Sequence, residues 1–283
     1  MANDNLRLQP VHEVDWDYLI ILDACRYDVF EEVYDDYLDG ELKKVKSRGS
    51  ATPAWLSKTF QEEYDYTYIS ANPFINDMGV EIGDIHHTNY NWKATDHFEK
   101  IIDVWYTGWD EEISTVHPKE VNINLFRYKN SGKNILHYIQ PHVPYIGFDK
   151  VKGSSIGEMK NKIVEGSGNK SQEDRLMYSF RDKIGPLLEK HFGRQNIWKI
   201  RKLLSLELCS EYEYVFRTSD LSWYKKNAEI ALESISNLIK ELSGKIIITA
   251  DHGEAFGEKG RWGHPADSGL DVLREVPWLE IEG

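Results

Sequence analysis

The sequence predicts an α/β fold with a mostly parallel sheet, because short apolar runs typical of buried strands alternate with longer amphipathic stretches typical of helices. Two of these runs, Tyr18–Leu22 and Lys245–Ala250, are nearly continuous in apolar residues, as in strands buried on both faces. Polar side chains able to bind a metal follow each run directly, at the edge where open α/β sheets place their ligands. For Asp251-His252-Gly253 the alternative is an ordinary surface turn.

The remaining elements follow from periodicity and from turn residues. Further strands are predicted at Glu41–Lys46, Tyr66–Ser70, Asn134–Ile139 and Pro277–Ile281. Helices are predicted at 29–37, 53–60, 177–188, 197–208 and 220–242. Proline is favoured in the first turn of a helix, so Pro53 predicts a helix start with Thr52 as its N-cap.

We expect residues 1–283 to form a single catalytic domain with two special segments. Residues 77–130 are rich in Trp and Tyr and have no clean period, which favours a cap or insertion with a short helix near 96–105. Residues 151–172 are rich in Gly, Ser and Lys, which favours a mobile segment.

The composition of the chain limits which binding partners and which cellular compartment we expect. The 34 basic and 47 acidic residues give a net charge of −13, which disfavours nucleic acid and means that an anionic substrate would need a local cation. Two cysteines cannot form a disulfide scaffold, so we expect free thiols. No apolar stretch approaches membrane-spanning length, and the amino terminus lacks a signal-peptide core. We therefore expect a soluble cytoplasmic protein with no membrane span.

Residues that could bind a metal or react lie at three strand ends or turns: Asp23, the turn 49–52, and Asp251 with His252. Each has an ordinary alternative, since Asp and Thr at such positions more often cap helices. Together they offer carboxylates, an imidazole and a hydroxyl, a set that suits a zinc- or manganese-like ion. A hydroxyl beside a cation and a helix N-terminus would be acidified into a nucleophile.

Four motifs, in this order, resemble the alkaline phosphatase superfamily in its sulfatase-like branch: LDACR, GSATP, PHVPY and ITADHGEAFGEKGRWGH. That branch includes sulfatases, phosphonate monoester hydrolases and phosphoethanolamine transferases. The resemblance implies a three-layer α/β/α sandwich and a divalent ion, either zinc, manganese or calcium. One metal site is expected, and a second is doubtful because Gln140 stands where two-metal members carry Asp.

Carried over by position, the resemblance makes Asp23, Asp251 and His252 metal ligands. Thr52 becomes the fourth ligand and the nucleophile, which forms a covalent phosphothreonine. Ser50 is the competing nucleophile, although GSAT fits the transferase-type Gly-x-x-Thr spacing better.

Other positions receive substrate roles from the same resemblance. Arg26 would clamp a non-bridging oxygen, with a surface Arg as the alternative. His142 would contact the ester or protonate the leaving group, and His264 would contact substrate or complete a second metal site. The further substrate-binding candidates are Ser50, Asn72 and Lys259, the last also explicable as a solvated loop Lys.

The function that follows is a metal-dependent hydrolase, or transferase, of phosphate mono- or diesters. Formylglycine sulfatases need a pattern that GSATPAW lacks, yet a sulfuric ester hydrolase or a phosphomutase on the same metal remains an alternative. A non-catalytic ligand-binding relative is an alternative of another class. The aromatic residues of 77–130 suggest a glycan or polyol phosphate, with cap core as the ordinary explanation. The oligomeric state is not predicted.

Overall fold

The computed structural model describes residues 6–86, 90–129, 131–151, 154–165 and 192–282, with no account of the side chains of 86 and 165. Its centre is a seven-stranded sheet in the order β2-β11-β8-β1-β7-β3-β4. The strands are β1 (Tyr18–Asp23), β2 (Glu41–Lys46), β3 (Tyr64–Ser70), β4 (Phe98–Asp103), β5 (Trp109–Asp110), β6 (Thr115–Val116), β7 (Asn134–Pro141), β8 (Lys245–Ala250), β9 (Ala255–Phe256), β10 (Trp262–Gly263) and β11 (Glu275–Glu282). The central pairs are parallel, whereas β11 runs antiparallel to β8 and to β2. This confirms the predicted α/β class with a mostly parallel central sheet.

Helices connect these strands. They are α1 (Tyr27–Val33), α2 (Thr52–Thr59), α3 (Ile82–His86), α4 (Val104–Thr107), α5 (Pro118–Tyr128), α6 (Ser155–Glu165), α7 (Arg194–Leu203), α8 (Glu211–Thr218), α9 (Ser222–Ile239) and α10 (Asp271–Arg274). Within the described ranges, no helix combines the length and the apolar character needed to cross a bilayer.

Helices cover both faces of the sheet, as two neighbouring residues of β7 show. Tyr138 donates a hydrogen bond to Asn122 of α5, whereas the ring of His137 lies edge-on to Trp55 of α2, with 6.3 Å between centroids. Because successive side chains of a strand point to opposite faces, α2 and α5 lie on opposite sides of the sheet. The layers are therefore helix, sheet and helix.

The core runs along the central strands. All six residues of β1 and all eight of β7 are buried, as expected for parallel strands covered on both faces. This burial explains why those two runs are apolar with polar residues only near their ends, except His137, which lies in the middle of β7.

Residues 77–130 depart from the prediction. The prediction of a helix near 96–105 is wrong, because Phe98–Asp103 forms β4 and pairs in parallel with β3 at the sheet edge. The edge pairing overrides a weak local pattern. Trp92 and Trp105 are 6% and 0% exposed, so these rings belong to the core and are not free to stack on a sugar.

Other boundaries differ modestly. Thr52 is the first residue of α2 and Ala51 takes the N-cap position that we expected for Thr52. The helix expected at 197–208 is α7, and the one expected at 220–242 is α9. The helix expected at 177–188 lies outside the described residues, as do 152–153 and 166–172 of the segment that we expected to be mobile. Within that segment, Ser155–Glu165 forms α6.

Candidate metal centre

The carboxyl ends of four neighbouring parallel strands bring the candidate residues to one edge of the sheet. Asp23 ends β1, and Asp251 with His252 follows β8. His142 follows β7, and Asn72 comes two residues after β3. Since β8, β1, β7 and β3 are adjacent in the sheet, side chains far apart in sequence meet here.

Asp23, Thr52, Asp251 and His252 form a compact group that we call the inner cluster. Thr52 Oγ1 lies 2.7 Å from Asp251 Oδ2 and 3.3 Å from His252 Nε2. His252 Nε2 lies 3.4 Å from Asp251 Oδ2 and 3.6 Å from Asp23 Oδ1. All four residues are buried, so their polar atoms face one another out of contact with bulk water.

Neighbouring groups fix the direction of each donor atom. Asp251 Oδ1 accepts hydrogen bonds from the backbone N–H groups of Ala24 and His252, which leaves Oδ2 facing the cluster. Asn72 Nδ2 donates to Asp23 Oδ2, and Asp23 Oδ1 has no hydrogen-bond partner among the described residues. His252 Nδ1 lies 2.8 Å from the carbonyl of Gly253, to which it donates, so the lone pair of Nε2 points into the cluster.

The electrostatics of the inner cluster are suited to a cation. Burial, together with the neighbouring Asp251 carboxylate, raises the pKa of Asp23 well above its ordinary value, against the opposing effect of the Asn72 amide. Burial lowers the pKa of His252 well below that of free histidine, which keeps its ring neutral as a ligand must be. Two facing buried carboxyl groups, an unpartnered oxygen and a neutral imidazole fit a divalent ion.

Two glycines allow the segments to approach closely enough. A Cβ at Gly253 would lie 2.0 Å from the carbonyl oxygen of Val272, and one at Gly49 would lie 2.3 Å from the backbone nitrogen of Trp55. Any larger residue would push away the loop after β8 or the turn before α2. The motif glycines are therefore explained by packing around the inner cluster.

His142, Glu254 and His264 form a second group, the outer cluster, whose ligand-type atoms also lie within 4.8 Å of one another. His264 Nδ1 lies 3.2 Å from Glu254 Oε1 and 3.1 Å from Oε2. The His264 ring centroid is 5.0 Å from that of His142 and 4.6 Å from that of His252, so the two clusters adjoin. The His264 side chain is 28% exposed, which opens this side to solvent.

The outer cluster also has a defined charge pattern. Burial lowers the pKa of His142 to about 4, so that its ring is neutral at pH 7. Burial alone would lower the pKa of His264, but the Glu254 carboxylate outweighs it and raises that pKa. Burial alone would raise the pKa of Glu254, but His264 and the two other histidines bring it below its ordinary value. A buried carboxylate among three imidazoles is a second arrangement suited to a cation.

Some predicted substrate-binding residues are engaged elsewhere. The Arg26 guanidinium donates to Asp28, at 2.7 and 2.9 Å, and to Glu258 Oε1 at 2.6 Å. Ser50 Oγ donates to the Pro265 carbonyl and accepts from the Ser268 N–H, both at 2.9 Å. Ser50 therefore anchors the loop that follows His264.

Asn72, Lys259 and Gln140 lie in three different settings. The Asn72 amide holds Asp23, and its Oδ1 accepts from the Phe74 N–H at 2.9 Å. Lys259 is exposed, and it makes no hydrogen bond or ion pair with the described residues. Gln140, which made a second metal site doubtful, is buried and donates to the Val116 carbonyl at 3.0 Å, away from both clusters.

Sequence reasoning missed two buried residues at this edge. Glu254 supplies the carboxylate of the outer cluster, and its signal was its place in the ADHGE motif, where it received no role. His137 lies in the middle of β7, with Nε2 3.9 Å from Asp251 Oδ2 and Nδ1 2.9 Å from the Tyr68 hydroxyl. The sign of this residue in the sequence was an imidazole within an otherwise apolar strand.

Comparison with known proteins gives neighbours in structure only. No protein-family model matches the sequence, and no curated protein matches it. Lipooligosaccharide phosphoethanolamine transferase A (EptA) from Neisseria meningitidis, an integral membrane protein, is 12% identical with a TM-score of 0.47; the match covers 99% of this chain and 49% of that one. This chain thus spans about half the length of EptA.

Two further solved structures are similar. The periplasmic domain of EptC from Escherichia coli, in complex with Zn, is 11% identical with a TM-score of 0.45, over 100% of this chain and 74% of that one. Phosphonate monoester hydrolase from Agrobacterium radiobacter is 14% identical with a TM-score of 0.48, over 98% and 68%.

The predicted cytoplasmic location is contradicted by these neighbours, because the EptC structure is a periplasmic domain and EptA is an integral membrane protein. Cys25 and Cys209 are free, as predicted. Free thiols and the composition of the first residues do not report which side of a membrane a domain faces, which is why the inference failed. The three solved structures named above are of two kinds that the motifs predicted, phosphoethanolamine transferases and phosphonate monoester hydrolases, and both kinds belong to the alkaline phosphatase superfamily.

Proposed function

We propose that this protein is a metal-dependent transferase or hydrolase of phosphate esters in which Thr52 is the nucleophile. The observation that carries the proposal is the position of Thr52 Oγ1, 2.7 Å from Asp251 Oδ2 and 3.3 Å from His252 Nε2. The hydroxyl thus lies among donor atoms of the kind that bind metals, and Thr52 is also the first residue of helix α2. Ser50, the competing nucleophile, has its hydroxyl committed to backbone groups of 265 and 268.

Asp23, Asp251, His252 and Thr52 would hold the essential ion. A mixed set of carboxylates and one imidazole favours zinc or manganese over calcium, which prefers oxygen ligands alone. The ion, when bound, would polarise a phosphoryl oxygen and acidify the Thr52 hydroxyl. We further propose that His142, Glu254 and His264 hold a second ion, since Glu254 supplies the carboxylate that Gln140 does not.

The chain's own residues would perform the transfer in two displacements. Thr52 Oγ forms a bond to phosphorus as the bond between phosphorus and the leaving oxygen breaks, giving a phosphothreonine. The Thr52 hydroxyl donates toward Asp251 Oδ2, which marks the direction of proton loss. The leaving oxygen would take up the proton that Thr52 gives up. Water, or an acceptor hydroxyl, would then bond to phosphorus as the bond between phosphorus and Thr52 Oγ breaks, and would return a proton to Thr52. The N–H groups at the start of α2, other than at Pro53, which has none, would orient the anionic ester.

The first test combines metal analysis with turnover. We expect the purified chain to bind zinc or manganese and to cleave bis-p-nitrophenyl phosphate, and we expect Asp251→Asn to abolish turnover and to release the ion of the inner cluster. Metal-dependent turnover that survives in Asp251→Asn would reject the inner cluster as the site. Faster turnover of p-nitrophenyl sulfate than of either phosphate ester would favour the sulfuric ester alternative. Absence of any turnover with bound metal would favour a non-catalytic relative.

A further inference from the structure

Tyr212 contacts the outer cluster from an element that none of the motifs includes. It lies on α8, and its hydroxyl donates a hydrogen bond to Glu254 Oε2 at 3.0 Å. Glu254 is only 1% exposed, so this neutral donor and the His264 ring are close partners of a buried carboxylate. The Tyr212 ring packs beside the ring of Phe256, two residues beyond Glu254, with the ring centroids 6.2 Å apart.

We propose that Tyr212 is a positioning residue that fixes the Glu254 carboxylate for a metal ion at the outer cluster. This inference rests on the proposed function, because it assumes a second ion held by His142, Glu254 and His264. The Tyr212 hydroxyl engages Oε2 and so restrains rotation of the carboxylate group. A carboxylate held in this way presents its remaining lone pairs in a fixed direction, which favours binding of the ion.

The surroundings of Tyr212 are rigid enough for this role. The side chain of Ser210 caps α8 by accepting from the Glu213 N–H at 3.1 Å. Glu213 is fully buried and pairs with Arg217 at 2.5 Å and with Arg201 of α7 at 3.1 Å. These contacts join α7 to α8 and hold the backbone that carries Tyr212.

The same pair of helices also supports the hairpin that presents His264. Trp262 of β10 packs edge-on against Trp198 of α7 and against Phe216 of α8, with ring centroids 5.0 and 5.8 Å away. Trp262 precedes His264 by two residues, so α7 and α8 set both the partner of Glu254 and the strand leading to His264. The helical pair is therefore placed to control the geometry of two of the three outer ligands.

Tyr212→Phe tests the proposal, and Tyr214→Phe is its matched control. Tyr214 lies on the same helix and also donates to a carboxylate, Asp220 Oδ2 at 2.6 Å, but that carboxylate belongs to neither cluster. Zinc affinity and stoichiometry would be measured on the full chain by competition with a chelator. Loss of a hydrogen bond to a metal ligand commonly lowers metal affinity about 10- to 100-fold. We expect that loss for the second ion in Tyr212→Phe, with the first ion unchanged in both variants.

Activity supplies a second readout that a merely structural role would not give. In limiting zinc, Tyr212→Phe should cleave bis-p-nitrophenyl phosphate more slowly than Tyr214→Phe, and excess zinc should restore its rate. Equal weakening of both ions, failure of zinc to restore the rate, or identical behaviour of the two variants would overturn the role of Tyr212. A wild-type chain that binds one ion also overturns it but spares the inner-cluster function, whereas a wild-type chain that binds none overturns both.

Discussion

The two clusters lie side by side, yet they are built differently. The inner cluster takes Asp23 and Asp251 directly from the ends of paired strands, and backbone N–H groups hold Asp251 in place. The outer cluster takes His142 and Glu254 from the loops after β7 and β8, and His264 from the end of the β9–β10 hairpin. The His264 side chain is 28% exposed. The inner cluster is acidic and enclosed, whereas the outer cluster is rich in imidazole and reaches solvent at His264.

The difference fits the roles proposed for the two clusters. An enclosed site on the rigid sheet suits the group that reacts, because small displacements of a nucleophile lower the rate steeply. An open site on loops suits contact with the leaving group or with an incoming acceptor, since loops vary without disturbing the sheet. Three experiments test this difference between the clusters, and they are given in decreasing order of expected effect.

The largest effect should come from Thr52→Ala. It removes the only hydroxyl of the inner cluster, so kcat for bis-p-nitrophenyl phosphate should fall on the order of 10³-fold or more. Ser50→Ala is the matched control, because it removes a nearby hydroxyl that only anchors the loop 265–268. Its kcat should stay much closer to that of the wild type. A larger loss in Ser50→Ala than in Thr52→Ala would transfer the nucleophile to Ser50.

An intermediate effect should come from Glu254→Gln, compared with Asp23→Asn. Glu254→Gln removes the carboxylate of the outer cluster, so the second ion should bind about 10- to 100-fold more weakly while the first ion remains. Asp23→Asn should release the first ion instead. Metal stoichiometry after dialysis separates the two outcomes. If both variants lose the same ion, the clusters form one site and the comparison fails.

The smallest effect concerns the pH dependence of stability beneath the inner cluster. Burial lowers the pKa of His137 to about 4, and this outweighs the nearby Asp251 carboxylate. The unfolded chain, with an ordinary histidine pKa near 6.5, therefore binds more protons between those values. The contribution of His137 to stability is fully present above pH 6.5 and is lost as the pH drops toward 4, by at most about 3 kcal/mol.

Urea unfolding at pH 5 and pH 7, with a chelator present to exclude metal binding, measures this slope. His137→Gln should flatten the dependence, because Gln does not titrate and still offers the Tyr68 hydroxyl a partner. An equally steep slope in His137→Gln would assign the effect to other groups.

Several features followed from the sequence alone because they are local. Continuous apolar runs predicted buried strands, and residues directly after such strands had to reach the carboxyl edge of the sheet. Asp23, Asp251 and His252 were therefore predictable as neighbours, and the structure brings them within ligand distance of one another. Gly253 is a motif residue whose need for a small side chain appears only where Val272 approaches it.

The remaining features depend on contacts between segments that are distant in sequence. Phe98–Asp103 became a strand because β3 offered it a pairing edge, which no local pattern records. Arg26 turned toward Asp28 and Glu258, and Glu254 turned toward His264 and Tyr212, because the direction of a loop side chain depends on partners brought by distant segments. Strand ends are fixed by short-range pattern, whereas the outer cluster is fixed by packing between elements that the sequence does not place together.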